Sequence, residues 1–200
     1  AGLSDHRRSG GTRPGSVKRA AAVAIFSLAC ASGIAASPST SLEVVTSRQA
    51  SMKDMAAAIR TIAGMFGGKL AYDPTTFKAA ADTIRARTGA ALIAEFPSGT
   101  LGPPSGAKLN IDQERSEFEA LARHFGTLAD VLAVDAARAP PTITSDMRMG
   151  PGMVTGGGSL LGKRPGVAEI APAKLPAEHV LHLILQDCSS CHAKFRERTR

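Results

Sequence analysis

The sequence has few aromatic residues: Phe, Trp and Tyr make up 4% of its 200 residues, with no Trp and a single Tyr, whereas 44% of the residues are hydrophobic. A core built mainly from Ala, Leu, Ile and Met needs further apolar bulk to reach normal packing density. No stretch reads as a convincing β-strand, and no segment repeats another. The lack of strands argues against enzymes built on a sheet, such as the thioredoxin-like oxidoreductases.

Acidic residues are too few to balance the basic ones, which gives a formal net charge of +7 and a pI of about 9.8. Residues 1–36 hold five Lys or Arg and one Asp, or +4, which leaves 19 basic and 16 acidic residues, or +3, in residues 37–200. The excess is therefore mostly N-terminal. It does not form the basic surface of a nucleic-acid binder, and we expect no nucleic-acid partner.

Residues 1–36 have the form of a secretory signal. A basic stretch ends at Lys18-Arg19, an apolar run extends from Ala20 to Ala36, and small residues near its end make a plausible cleavage site. The run is on the short side for a membrane span. We therefore predict export to the periplasm with no membrane span in the mature form, and an uncleaved membrane anchor is the alternative.

Four stretches after the leader carry apolar residues at alternating steps of three and four, the pattern of amphipathic helices. The predicted helices are roughly 42–67, 74–95, 112–138 and 176–200. Asp73 is a predicted N-cap with Pro74 at the first helical position, and Asp112 is a predicted cap of the third helix. Residues 97–110, rich in Pro, Gly and Ser, are predicted to form a loop.

A segment at about 140–176 shows no regular periodicity and is long for a loop in a compact bundle. We treat it as an irregular insert. Four amphipathic helices without a strand predict an all-α fold, an antiparallel four-helix bundle that covers residues 37–200.

The run Cys188-Ser189-Ser190-Cys191-His192 is the attachment signature of c-type haem. Two thiols three positions apart lie on one face of a helix, so both can form thioethers with the vinyl groups of one porphyrin. The histidine that follows can then ligate the iron. C-x-x-C alone also occurs in thiol–disulfide and zinc sites, but the added histidine favours one covalently bound haem c and its iron on the last helix.

The chain from about residue 42 resembles the class II c-type cytochromes, the cytochrome c prime family. The resemblance is carried by Arg48-Gln49-x-x-Met52-Lys53-x-Met55, Tyr72-Asp73, Phe96-Pro97-x-Gly99-Thr100 and Cys188-x-x-Cys191-His192-x-x-Phe195-Arg196. A C-terminal haem motif on a fourth helix is the class II arrangement. The 140–176 segment is not part of the resemblance.

The resemblance implies roles for first-helix residues. The residue four after Arg48 faces the distal side of the iron in that family, and Met52 there is typical of the low-spin branch, with His192 and Met52 as the two axial ligands. Arg48 is then expected to bind a haem propionate, with Gln49 assisting by a hydrogen bond, and Met55 to pack against the haem.

Arg196 lies four residues after His192 and is expected either to flank that histidine or to complement the helix dipole. Further methionines in the insert, at 147, 149 and 153, are a minor alternative as iron ligands.

These features predict an exported monohaem cytochrome that carries one electron between redox partner proteins and is not an enzyme. The alternative is a five-coordinate, cytochrome c prime-like protein that binds small gases such as NO or CO, with Met52 only packing. A thiol–disulfide oxidoreductase using Cys188 and Cys191 is a third hypothesis. The resemblance also allows a homodimer.

Overall fold

The computed structural model describes residues 40–150 and 171–197. The helices are α1 (Ser41–Phe66), α2 (Pro74–Ala86), α3 (Ala90–Ala94), α4 (Asn110–Gln113), α5 (Arg115–Ala137) and α6 (Ala177–Phe195), with short 3-10 turns at Ser145–Met147 and Pro172–Lys174. In these ranges α1 packs on α2, α2 on α5 and α5 on α6. The predicted all-α four-helix bundle is confirmed. The predicted leader, residues 1–36, lies outside the described residues, as does the middle of the insert.

Side-chain caps fix the start of two bundle helices. Thr40 and Glu43 form a reciprocal capping box at α1, with the Glu43 amide 3.3 Å from the Thr40 hydroxyl. Asp73 caps α2 as predicted, accepting a hydrogen bond of 2.7 Å from the Thr76 amide. Capping satisfies amide groups that a helix start leaves without partners.

The second helix is shorter than predicted. It ends at Ala86, and a separate short helix, α3, begins at Ala90. Gly89 between them has a φ of +61°, a left-handed conformation that favours glycine. A Cβ on Gly126 of α5 would lie 2.9 Å from the Gly89 Cα. Because neither glycine has a side chain, the backbone between α2 and α3 can lie directly against the backbone of α5.

The predicted cap at Asp112 is wrong. Asp112 lies inside the short helix α4, and α5 starts after Glu114 without a side-chain cap. The Asp112 carboxylate instead accepts a hydrogen bond of 3.0 Å from Ser98 and pairs with Arg115. These contacts hold the pKa of Asp112 below its usual value, the Arg115 hydrogen bond being the largest cause. Asp112 thus ties the 97–110 loop to the start of α5.

The last helix does not reach the C-terminus as predicted but ends at Phe195. Beyond it Arg196 forms an isolated antiparallel bridge with Ala107, and the Glu197 amide donates to the Gly106 carbonyl at 2.8 Å. The loop before α4 therefore pairs with the end of α6.

Part of the predicted insert packs on the bundle. Met147 is buried, the Arg148 guanidinium donates to the Phe66 carbonyl at 2.5 Å, and the Met149 amide donates to the Glu178 carboxylate at 2.8 Å. These contacts join residues 145–149 to the end of α1 and the start of α6. Among the described helices none is long and apolar enough to cross a membrane.

Candidate functional site

A cavity of about 280 Å³ lies between α1, α3, α5 and α6. Its lining is mostly apolar. Its lining includes Met52, Met55, Ile59 and Arg60 from α1, Leu92 from α3, Leu121 and Phe125 from α5, and Asp187, Cys188, Cys191 and His192 from α6. The volume is close to the lower end of the roughly 300–1,000 Å³ typical of ligand pockets.

Cys188 and Cys191 line this cavity as free, half-buried thiols. Burial raises the pKa of each thiol to about 11, and the nearby Asp187 carboxylate adds to the shift. Reactive redox cysteines have thiol pKa values lowered by positive surroundings. These surroundings disfavour the thiolate on which the thiol–disulfide oxidoreductase hypothesis depends.

His192 lines the same cavity one position after Cys191. Burial lowers the pKa of its imidazole, and the positive charge of Arg196 lowers it further. Both effects favour the neutral imidazole, which is the form that ligates metals.

The structure brings five of the predicted site residues to one cavity: Met52, Met55, Cys188, Cys191 and His192. Met52 is half-buried, and Met55 is only 4% exposed. Both methionines come from α1, which faces the cavity with every third or fourth residue. Met147 belongs to the core and does not line the cavity, and Met153 lies outside the described residues.

Arg48, Gln49 and Arg196 do not line the cavity. The Arg48 guanidinium donates to the Glu95 carbonyl (2.8 Å), to the Thr100 carbonyl and hydroxyl (3.2 and 2.6 Å), and to the Ser105 hydroxyl (2.8 Å). Four of its five N–H groups are thus used by the chain itself. Gln49 and Arg196 are exposed. The haem roles predicted for these three residues stay predictions.

Several lining residues were not singled out from the sequence. Leu92, Leu121 and Phe125 look like ordinary core residues at helical spacing. The sequence only weakly indicates that Arg60 belongs to the site, because Arg60 lies eight residues after Met52 on the same side of α1. Asp187 directly precedes the haem motif and lies 2.8 Å from the His124 ring nitrogen.

Two thiols and an imidazole on the wall of one apolar cavity fit a covalently attached porphyrin and its iron. A haem bound there also supplies the apolar bulk that the aromatic-poor core needs. In the described part of the chain, no three His, Cys, Asp or Glu side chains converge as a separate metal site.

Three solved structures illustrate the similarity of the fold. Cytochrome c′ from Thermochromatium tepidum aligns with a TM-score of 0.57 and 20% identity, covering 81% of this chain and all of that one. A cytochrome c′ with ligand-controlled dimer dissociation aligns with a TM-score of 0.57 and 19% identity over the same shares. Ferric cytochrome c prime from Alcaligenes xylosoxidans aligns with a TM-score of 0.57 and 16% identity, covering 82% of this chain and all of that one.

Comparison with curated proteins gives no match. The family described as Cytochrome C′ matches residues 43–149, more than half of the chain, and this match stops before α6 and its haem motif. The chain belongs to the cytochrome c′ family, whose members bind a covalently attached haem c with its iron.

Proposed function

We propose that this protein is an exported monohaem cytochrome of the c′ type that binds small gases such as NO or CO at an iron held by His192. The observation that supports this most directly is the apolar cavity in which α6 places Cys188, Cys191 and His192 opposite side chains of α1 and α3. The likeness to ferric cytochrome c prime supports it at the level of the fold.

The chain's own residues would hold the cofactor and shape the ligand space. Cys188 and Cys191 would form the thioethers, and the His192 imidazole would ligate the iron. When bound, the haem would supply an iron able to take a small external ligand or a thioether sulfur. Leu92 and Phe125 line the same cavity and would bound the space left for a ligand.

We propose ligand binding rather than catalysis. The residues of α1, α3 and α5 that line the cavity are apolar apart from Arg60. None of them is a His, Asp or Glu that could act as a general acid or base. An uncharged diatomic gas gives up little hydration on entering such a space, whereas a charged substrate would lose much.

A second candidate is the one-electron carrier with His192 and Met52 as axial ligands, serving redox partner proteins. The observation that favours it is that Met52 lines the same cavity as His192, from a different helix. A saturated iron would transfer an electron with little ligand rearrangement.

An absorbance spectrum of the purified holoprotein separates the two candidates. The gas-binding proposal expects a high-spin spectrum that changes on titration with CO or NO. The electron carrier expects a low-spin spectrum with a methionine-to-iron charge-transfer band, and Met52→Ala should abolish that band. A wild-type protein that shows this band and takes up no CO would overturn the gas-binding proposal.

Export is proposed from the leader, residues 1–36. Cell fractionation and N-terminal sequencing of the holoprotein test it: recovery from the periplasm with cleavage near Ala36 is expected, whereas membrane retention with residues 1–36 intact supports the anchor.

The chain is also proposed to form a homodimer. One structural neighbour is a cytochrome c′ whose dimer dissociates under ligand control, which supports this. Analytical ultracentrifugation with and without CO is the measurement, and a monomer under both conditions would contradict it.

A further inference from the structure

A polar cluster crosses the bundle beside the cavity. It consists of Arg48 and Ser51 on α1, Arg87 after α2 and Glu95 after α3, and we call it the polar clamp. The Arg87 guanidinium donates to the Ser51 hydroxyl at 2.9 Å, and that hydroxyl donates to the Glu95 carboxylate. Arg48 donates to the backbone carbonyl of Glu95 at 2.8 Å. Two separate segments, one after α2 and one after α3, are thus held on α1.

The clamp is buried where it meets α1. Ser51 is fully buried and Arg48 is 4% exposed. Burial lowers the pKa of the Arg48 guanidinium, and the Glu95 charge opposes this shift. Buried charges are costly unless they are paired and hydrogen-bonded. Here the arginine also stacks on the Phe96 ring, 4.1 Å from its centroid, so these residues have few alternative positions.

The helices that carry the clamp also carry a wall of the cavity. Met52 follows Ser51 directly and lies one turn after Arg48. Leu92 lies one turn before Glu95. Met52 and Leu92 both line the cavity. The hydrogen bonds that Ser51 and Arg48 donate to Glu95 therefore fix the spacing of the two segments that present these side chains.

We propose that the polar clamp is a positioning device that fixes Met52 against the haem site and so sets how readily an external ligand reaches the iron. This inference rests on the proposed haem site and adds a specificity determinant that lies outside the cavity. Side chains that support a binding site from behind determine its geometry when their own partners are fixed.

The test is a double-mutant cycle on the holoprotein, with CO as the ligand. Ser51→Ala and Glu95→Gln should each change the CO dissociation constant about tenfold, a typical size for coupling through a packed network. In a Met52→Leu background, Ser51→Ala should change it less than about twofold, because the positioned side chain is gone. Glu95→Gln keeps the shape of the side chain, which guards against a variant that fails to fold.

Thr61→Ala is the matched control. It removes a hydroxyl from the same helix, one that donates only to the Ala57 carbonyl of α1, at 3.1 Å, and it should leave CO affinity unchanged. Wild-type CO affinity in both clamp variants would overturn the proposal. An equal effect of Ser51→Ala with and without Met52 would also overturn it, because the clamp would then act by another route.

The failure of the proposed gas-binding function gives a different result. If wild-type protein takes up no CO because Met52 ligates the iron, the gas-binding proposal fails, and the charge-transfer band becomes the readout for the clamp. Weakening of that band in Ser51→Ala then supports positioning of Met52, and an unchanged band overturns it.

Discussion

Phe118→Ala should produce a large loss of stability, because the ring joins three parts of the bundle. Phe118 is 1% exposed on α5. Its ring centroid lies 4.9 Å from that of Phe96, and 5.6 Å from that of Phe195 in an edge-to-face arrangement. Truncation of a buried phenylalanine costs about 3–5 kcal/mol, and each aromatic pair lost contributes roughly 0.5–1.5 kcal/mol of that sum.

Thermal unfolding of the holoprotein, followed by circular dichroism, measures this cost. At about 2–4 °C per kcal/mol for a chain of this size, the melting temperature should fall by roughly 6–20 °C. Val134→Ala is the control on the same helix, since Val134 is 43% exposed, and it should change stability by less than about 0.5 kcal/mol.

A loss below about 1 kcal/mol in Phe118→Ala would refute the reasoning, because it would mean that the bundle closes over the missing ring at little cost. Phe118→Leu should give an intermediate stability, because the leucine side chain refills part of the space. Stability is therefore expected to decrease from wild type to Phe118→Leu to Phe118→Ala.

Three further predictions concern local features. Gly126→Ala should destabilise the fold by about 1–3 kcal/mol in urea titrations, because its Cβ would lie 2.9 Å from the Gly89 Cα; wild-type stability would contradict the close approach. Cys188→Ala should leave a haem with one thioether, seen as a shifted pyridine haemochrome band, and an unshifted band would contradict attachment there. Hydrogen bonds from the Thr76 hydroxyl and amide hold the pKa of Asp73 below its usual value. The ionised Asp73 carboxylate should therefore stabilise the fold fully at any pH above the usual pKa of an aspartate, and this contribution should be lost as the pH falls through the lowered pKa. Melting temperatures measured between neutral and acid pH test this, and in Asp73→Ala the melting temperature should fall less steeply as the pH is lowered.

Much of the fold could be predicted because it is encoded locally. The periodicity of α1 and the Asp73-Pro74 start of α2 depend on residues within a few positions of one another. The break at Gly89 could not be predicted in this way, because it depends on the close approach to Gly126, 37 residues later. Asp112 has the local chemistry of a cap, but its contacts with Ser98, 14 residues earlier, and with Arg115 decide its role.

In the candidate site, too, some residues are predicted by their spacing in the sequence, whereas others depend on tertiary packing. Cys188, Cys191 and His192 lie within one turn and a half of α6, so spacing alone predicts that they act together. Leu92 and Phe125 cannot be told from core residues by sequence, since only the crossing of their helices brings them to the cavity. The lowered pKa of His192 likewise depends on its surroundings in the folded chain.

The 97–110 loop gives the two sides of the site a mechanical connection that its composition does not reveal. Near one end of it, the Ser105 hydroxyl accepts a hydrogen bond from Arg48 at 2.8 Å, which ties the loop to the methionine-bearing face of α1. Three residues later the Lys108 amide donates to the Phe195 carbonyl at 2.9 Å, three residues after His192 of the haem-attachment motif. Because one short segment holds both α1 and the end of α6, a displacement of either helix should be resisted by the other. The loop therefore adds to helix packing in holding α1 and the end of α6 together.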